Sequence, residues 1–190
     1  TGLNSEKIIK VFYHGSPIKD ASWGGFYFSG NYAFNMGVGF VSDPHNYGRV
    51  WFPCHDNFYD KALFEYFIKV PQNYTAVCGG IFIDTVRSDQ NSIIWHWKHS
   101  IPVSTYLASM AVAPYQLLHG TYNGTYRKIP YTLAAEAKDT ANLIKSFVHL
   151  NQAMEVFENV YGPYVFERIG YSLVPFNSGA MEHACNISYP

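Results

Sequence analysis

The sequence predicts a mainly β protein with a C-terminal α+β segment, and three observations predict it. Tyr, Phe and Trp number 16, 14 and 4 in 190 residues, and aromatic side chains suit the pleated, half-buried surface of a strand. Short apolar runs bounded by glycine and proline fill the first two thirds of the chain. From about Thr132 the apolar residues recur instead at helical spacing.

The elements follow in order. Lys7–Tyr13 reads as a strand and His14-Gly15-Ser16-Pro17 as its turn. Gly24–Phe28 and Gly37–Val41 read as short strands between glycines. Gly37-x-Gly39 has no third glycine and no following helix, which excludes a dinucleotide-binding turn. Pro53 has no N–H to give, so it ends or edges a strand, and Leu63–Val70 forms the next one. Arg49 and Asp56 are placed to pair across the turn, or Asp56 to cap backbone amides. After a strand within Pro71–Gly80, Ile81–Val86 and Ser92–His99 read as a hairpin. His96 and His99 have H-x-x-H spacing, but on a strand they point to opposite faces, which argues against a shared metal. Ser104 lies in no Gly-x-Ser-x-Gly turn and is read as a structural hydroxyl. Gly120–Pro130 reads as a turn and short strand closing the β region. Ile144, Phe147, Val148, Met154, Phe157 and Tyr161 then mark a helix, started by Thr132 or Asp139 and ended by Gly162-Pro163. Two strands follow, the second carrying Gly179–His183. The change of period places a domain boundary near residue 129, giving units 1–128 and 129–190.

Composition excludes several classes. Asp, Glu, Lys and Arg make up only 14%, against about 25% in an average soluble domain. That fits a chain with part of its surface facing another domain. A net charge of −1 gives no electrostatic case for nucleic acid or an anionic membrane. The most apolar window, Tyr106–Leu118, is interrupted by Ser109, Pro114 and Gln116 and is no membrane span. Cys54, Cys78 and Cys185 are too few for a disulfide framework or a four-cysteine zinc site, and free thiols are expected, with Cys54 buried beside Pro53. Asn73, Asn123 and Asn186 each begin an Asn-x-Ser/Thr sequon.

The chemistry concentrates near the C-terminus. Glu182 is a lone carboxylate between Met181 and His183, and Gly179 lets another backbone approach closely. An open strand edge beside a fixed negative charge suits an extended peptide with a free α-ammonium group. The alternative is a hairpin with Glu182 on its solvent face.

Gly179-Ala180-Met181-Glu182-His183, followed by Ile187-Ser188-Tyr189, resembles the Gly-x-Met-Glu-Asn exopeptidase signature of the aminopeptidase-N-like zinc metallopeptidases, with His183 in place of Asn. Arg49-x-x-Phe52-Pro53-Cys54-x-Asp56, with Lys61-Ala62 after it, is similar to that family's N-terminal β domain. Pro102-Val103-Ser104-Thr105-Tyr106-Leu107 resembles its Pro-Met-Ser-Thr-Tyr-Leu segment. The resemblance implies a truncated β-sandwich or saddle-like domain, followed by the first helix and strands of a thermolysin-like domain. It implies a substrate-binding set of Gly179, Ala180, Met181 and Glu182, with Glu182 holding the substrate amine. Asp43, before Pro44 and Arg49, is a candidate second carboxylate, although one extra residue separates it from the arginine.

None of the eight histidines lies in H-E-x-x-H, the helix motif that holds zinc and a general base in such enzymes. The resemblance therefore implies an internal fragment of a zinc aminopeptidase. Zinc belongs to the full-length parent, and no metal, no catalytic residue and no activity are expected in this chain. The implied partners are peptides with a free N-terminus and the remainder of the catalytic domain. Truncation is expected to leave open, self-associating edges near Ile8–Tyr13 and Ala184–Tyr189. Two rival readings stand beside this one: a non-catalytic β-rich binding or scaffold module, and a carbohydrate-binding sandwich using exposed Trp95 and Trp97.

Overall fold

Alternating apolar residues build the strands that dominate the regular structure, and the computed structural model describes residues 6–190. The first sheet is antiparallel. It contains β1 (Gly24–Ser29), β2 (Tyr32–Gly39), β5 (Thr75–Cys78) and β9 (Met110–Ala113), in the order β1-β2-β9-β5. The second is a three-stranded antiparallel sheet of β4 (Glu65–Pro71), β6 (Ile81–Arg87) and β7 (Ser92–Lys98), with β7 central. A two-stranded ribbon pairs β3 (Lys61–Ala62) with β8 (Val103–Ser104). The inward residues of the two main sheets share one core: Phe34, Met36, Val77 and Ala111 from the first, Tyr66 and Trp97 from the second.

The fourth sheet is mixed. β10 (Tyr115–Asn123) and β11 (Lys128–Glu136) form an antiparallel hairpin, and β12 (Ile169–Leu173) and β13 (Ile187–Tyr189) add in parallel. A parallel neighbour needs a crossover. Here it is made by α1 (Thr140–Ser146) and α2 (Leu150–Tyr161), which lie between β11 and β12. Met154 of α2 packs on Tyr122, Ile129 and Ile169 of the sheet. Leu143 of α1 packs on Leu133 and Ala135. Residue 129 falls just after the turn of the β10–β11 hairpin, so β10 joins the sheet of the C-terminal segment.

The mainly β class with a C-terminal helical segment is what the sequence predicts, but several local expectations are overturned. Lys7–Tyr13 is not a strand: Ile8 and Phe12 are 90% and 93% exposed and the segment pairs with nothing among the described residues. A β-prone run without a neighbour makes no ladder hydrogen bonds. Ala184–Asn186 is buried in a loop rather than open as an edge, and only Ile187–Tyr189 forms a strand. Gly120 does not turn the chain. It lies inside β10 because its cross-strand partner Tyr131 covers it, and a Cβ there would come within 2.1 Å of the Tyr131 ring. Thr132 lies in β11, and the helix starts after Asp139. It also breaks in two at Phe147, whose ring packs against Tyr171 and Tyr189. Gly162, with φ +88, ends α2 as expected.

The exposed-tryptophan expectation is overturned too. Trp97 is 0% exposed, its indole N–H donates to Ala76 O at 2.9 Å, and the Arg168 guanidinium lies 4.8 Å from its ring centroid. Trp95 is half-buried and its indole N–H donates to Tyr74 O. A carbohydrate platform on these two rings is excluded. Cys54 is half-buried rather than buried, and all three cysteines are free. Asn186 is 0% exposed, so its sequon cannot present the side chain for glycosylation in the folded state.

Candidate substrate-binding site

The Gly179–Glu182 stretch is an irregular segment between β12 and β13, held at both ends. Gly179 has φ +79, a conformation that favours glycine. Before it, the Trp23 indole N–H donates to Ser178 O at 3.1 Å, and Trp23 stacks on Phe40 with centroids 4.8 Å apart. After it, Met181 and Ser188 exchange two backbone hydrogen bonds of 2.8 and 3.0 Å, and the Met181 side chain is buried in the main core. Met181 is thus a fixed point between Ala180, which makes no backbone–backbone hydrogen bond among the described residues, and the exposed Glu182.

Glu182 is exposed while Met181 and His183 on its flanks are buried. With Trp23, Val38, Phe40, Tyr106 and Gly179–Met181 it lines a depression of about 460 Å³. It also borders a cavity of about 380 Å³ under α2, walled by Met154, Phe157, Tyr164 and Ile169. Among the described residues, Gly179 and Ala180 make no backbone–backbone hydrogen bond, so their N–H and C=O groups are open. Asp43 is exposed and lines a different depression, with Ile18, Ser42, Tyr47 and Arg49. The structure therefore gathers Gly179, Ala180, Met181 and Glu182 around one depression and puts Asp43 on another.

His183 is the residue that ties this loop to the first sheet. Its Nε2 accepts from Gly37 N–H and from the Asn35 amide, both at 3.2 Å. Asn35 is itself fixed, donating to Ala108 O at 2.8 Å and accepting from Met110 N–H at 2.7 Å. An acceptor Nε2 requires the proton on Nδ1, so the ring is neutral. Burial pushes its pKa down to about 3. Asn186, three residues on, bonds to Val77, Ser109 and Ser172 and closes the loop from behind.

A pH dependence follows. The folded pKa of His183 lies below its unfolded value of about 6.5, so the unfolded chain binds the extra proton between those values. Stability is then complete above about pH 6.5 and is lost as pH falls toward 3. His99, buried and likewise pushed down by desolvation, acts in the same direction. In chemical denaturation from pH 7.5 to 4.5, wild type should lose stability steadily. His183→Asn should flatten that slope, because the amide has no proton to gain. Equal slopes in the two proteins would remove His183 as the cause.

Asp56 has the structural role open to it: it pairs with Arg49 at 3.3 Å and accepts from Thr105 Oγ1 at 2.6 Å. Ser104 Oγ donates to Phe58 O and is structural as well. His96 and His99 point apart, His96 to Glu65 and Asp84 at the surface and His99 into the interior. Spacing gave no pointer to Asn35, Gly37, Trp23 or Tyr106, which lie far along the chain from the loop they meet. Only the tertiary fold joins them to it. No described helix carries a pair of histidines, so this chain holds no ligand set of the H-E-x-x-H kind.

Residues 13–107, half of the chain, match the peptidase M1 N-terminal domain family. Among curated proteins, transcription initiation factor TFIID subunit 2 of Danio rerio is 30% identical over 122 residues, covering 61% of this chain and 10% of that protein. Aminopeptidase N of Streptomyces lividans is 23% identical over 128 residues, covering 65% of this chain and 14% of that protein. The chain thus spans a small part of the length of these relatives. Among solved structures, a two-domain M1 zinc metallopeptidase bound to L-tryptophan superposes with a TM-score of 0.80 at 21% identity, over 93% of this chain and 40% of that one. An M1 zinc metallopeptidase from Deinococcus radiodurans, bound to a Tyr-Ser-Ala substrate, gives 0.77 at 22% identity over the same shares. The match over residues 13–107 makes this chain a member of the M1 aminopeptidase-N-like metallopeptidase family.

Proposed function

We propose that this chain is part of a longer zinc-dependent aminopeptidase, and that its Gly179–Glu182 stretch binds the N-terminal end of a peptide substrate. One observation carries the reading: the open backbone of Gly179 and Ala180 adjoins the exposed Glu182 carboxylate in a single depression. An extended peptide adds its own N–H and C=O groups to such an edge. Its α-ammonium group then meets Glu182 in a charge-assisted pair. Met181, locked to Ser188 and buried, sets where that pair forms along the edge. Asp43 is given no contact with the amine. Zinc, held outside this chain's residues, supplies activation of the attacking water. The division into a β domain, 1–128, and the start of a thermolysin-like domain, 129–190, belongs to this reading. So does the remainder of the catalytic domain as partner, which fits the outward apolar residues Val156, Phe157 and Val160 on α2.

The test is the zinc-loaded whole protein assayed on an aminoacyl anilide and on its N-acetylated counterpart. Turnover of the free amine alone supports the proposal. A second reading, a non-catalytic β-rich scaffold, is favoured by the likeness to transcription initiation factor subunits. It requires that the whole protein turn over neither compound. The 190-residue chain by itself is expected to hydrolyse neither; measurable turnover by it would mean that the chemistry resides in residues assigned here to binding.

A further inference from the structure

Outside the depression, the fold brings together three side chains distant in sequence. His99 follows β7, Glu167 precedes β12, and Cys185 lies in the loop before β13. One ligand atom from each lies within 4.8 Å of the other two. Cys185 Sγ is 3.4 Å from Glu167 Oε2, and His99 Nδ1 is 3.9 Å from the same oxygen. Donors around a tetrahedral zinc stand roughly 3.3–3.6 Å apart, given bond lengths of about 2.0–2.3 Å. The trio is therefore close to the required spacing, with the largest adjustment falling on the imidazole.

His99 is 0% exposed, yet neither ring nitrogen has a hydrogen-bond partner among the described residues. A buried polar group is normally satisfied, so this ring lacks something that its surroundings would ordinarily supply. Its place is not incidental to packing. Nε2 lies against Gly79, where any Cβ would come within 2.2 Å of it, so the backbone is shaped to admit the ring with Nδ1 toward Glu167. Glu167 is oriented too. Its Oε1 accepts from Ser100 N–H, Ser100 Oγ and Ile101 N–H, which leaves Oε2 facing the histidine and the thiol. Cys185 is held at φ +64, an uncommon backbone for a side chain other than glycine, which aims its sulfur at the same point.

We propose that His99 Nδ1, Glu167 Oε2 and Cys185 Sγ bind a zinc ion, distinct from any peptidase zinc. A thiolate, an imidazole and a carboxylate form a ligand set suited to zinc, with a fourth position left for water. On binding, the Sγ–H bond breaks, the proton goes to solvent, and an Sγ–Zn bond forms. Neutral His99 and ionised Glu167 bind through lone pairs and lose no proton. Arg168, buried beside the site and bonded to Cys78 O and Gly80 O, opposes a second cation. The two anionic ligands offset it. Burial raises the Cys185 thiol to about 11, while Arg168 favours its thiolate. Hydrogen bonds, led by Ser100, outweigh burial at Glu167 and hold it near 2. The ion would join β7, the approach to β12 and the Met181–Asn186 loop, which no disulfide links. Its binding would overturn the expectation that this chain holds no metal.

The experiment titrates the metal-free, full chain with Co(II) alone and then with Zn(II). The expected result is a thiolate-to-cobalt charge-transfer band saturating at one equivalent and bleached by Zn(II), with about one proton released per metal bound. Cys185→Ser should abolish the band and weaken zinc at least about a hundredfold. Loss of a ligand costs no less than loss of an outer-shell partner, which is about 10–100-fold. Glu167→Gln keeps the Oε1 contacts and should weaken zinc at least about tenfold, and it serves if Cys185→Ser does not fold. Cys54→Ser should titrate as wild type. The proposal is overturned if folded wild type gives no band in excess cobalt. It is equally overturned if the band survives Cys185→Ser, or if Glu167→Gln binds zinc as wild type does.

Discussion

Replacing Glu182 by alanine in the whole protein is expected to lower kcat/KM for free-amine substrates by roughly thirtyfold to several thousandfold, while its peptidase zinc content stays normal. An α-ammonium group has an unperturbed pKa of about 7.7–8.0, so the substrate amine is largely charged at neutral pH. A substrate covering the depression lined by Trp23, Phe40 and Tyr106 would bring its amine to Glu182 away from water. Truncating one partner of such a pair typically costs about 2–5 kcal/mol, and each 1.4 kcal/mol or so is tenfold. Glu182→Gln should fall between wild type and alanine, keeping an acceptor oxygen but losing the charge. The preference for free over N-acetylated substrates should shrink in step, because an acetylated peptide brings no cation. Glu182 is exposed and its own carboxylate supports no core contact, so the fold should be undisturbed. Wild-type kcat/KM for the free amine in Glu182→Ala would leave Glu182 as a surface residue and remove the main support for the binding role.

Trp97→Ala is expected to destabilise the fold by about 3–5 kcal/mol. Trp97 stands where the two main sheets meet, with Tyr66, Val77 and Cys78 in the same core. Removing the indole leaves a cavity that sheet backbones cannot close. It also leaves Ala76 O without its donor and takes the aromatic face from the buried Arg168. Both effects add to the cavity term. The measurement is the midpoint and slope of a denaturant unfolding curve. A loss under about 0.5 kcal/mol, the range of substitutions away from the core, would show that Trp97 does not join the sheets. Trp95→Ala, half-buried on the same strand, should cost clearly less.

Part of the candidate site is legible in the order of residue types alone. Glu182, between Met181 and His183 and preceded by a glycine three positions earlier, suggests a fixed charge beside an open backbone edge. The period change after the β region announces the helices, and Gly162-Pro163 marks their end. What fails is whatever depends on a neighbour. Lys7–Tyr13 has the composition of a strand, but pairing needs a second chain segment, and none meets it among the described residues. Gly120 reads as a turn, yet Tyr131 lies over it in the sheet. Trp97 and Trp95 are indistinguishable in sequence, and only the register of β7 against β4 and β6 buries one of them fully.

By itself, then, the sequence determined the class of fold and the family motifs, and it singled out Glu182 as the carboxylate of interest. These rest on local signals: side-chain alternation, glycine and proline, and an unbroken string of residue types. Tertiary structure alone decided that His183 anchors the motif loop to Asn35 and Gly37, and that His99, Glu167 and Cys185 converge. Their partners are separated by tens of residues along the chain. Hydrogen bonding and metal ligation depend on distances of a few ångströms in space, and strand order and register set those distances, not spacing in the sequence.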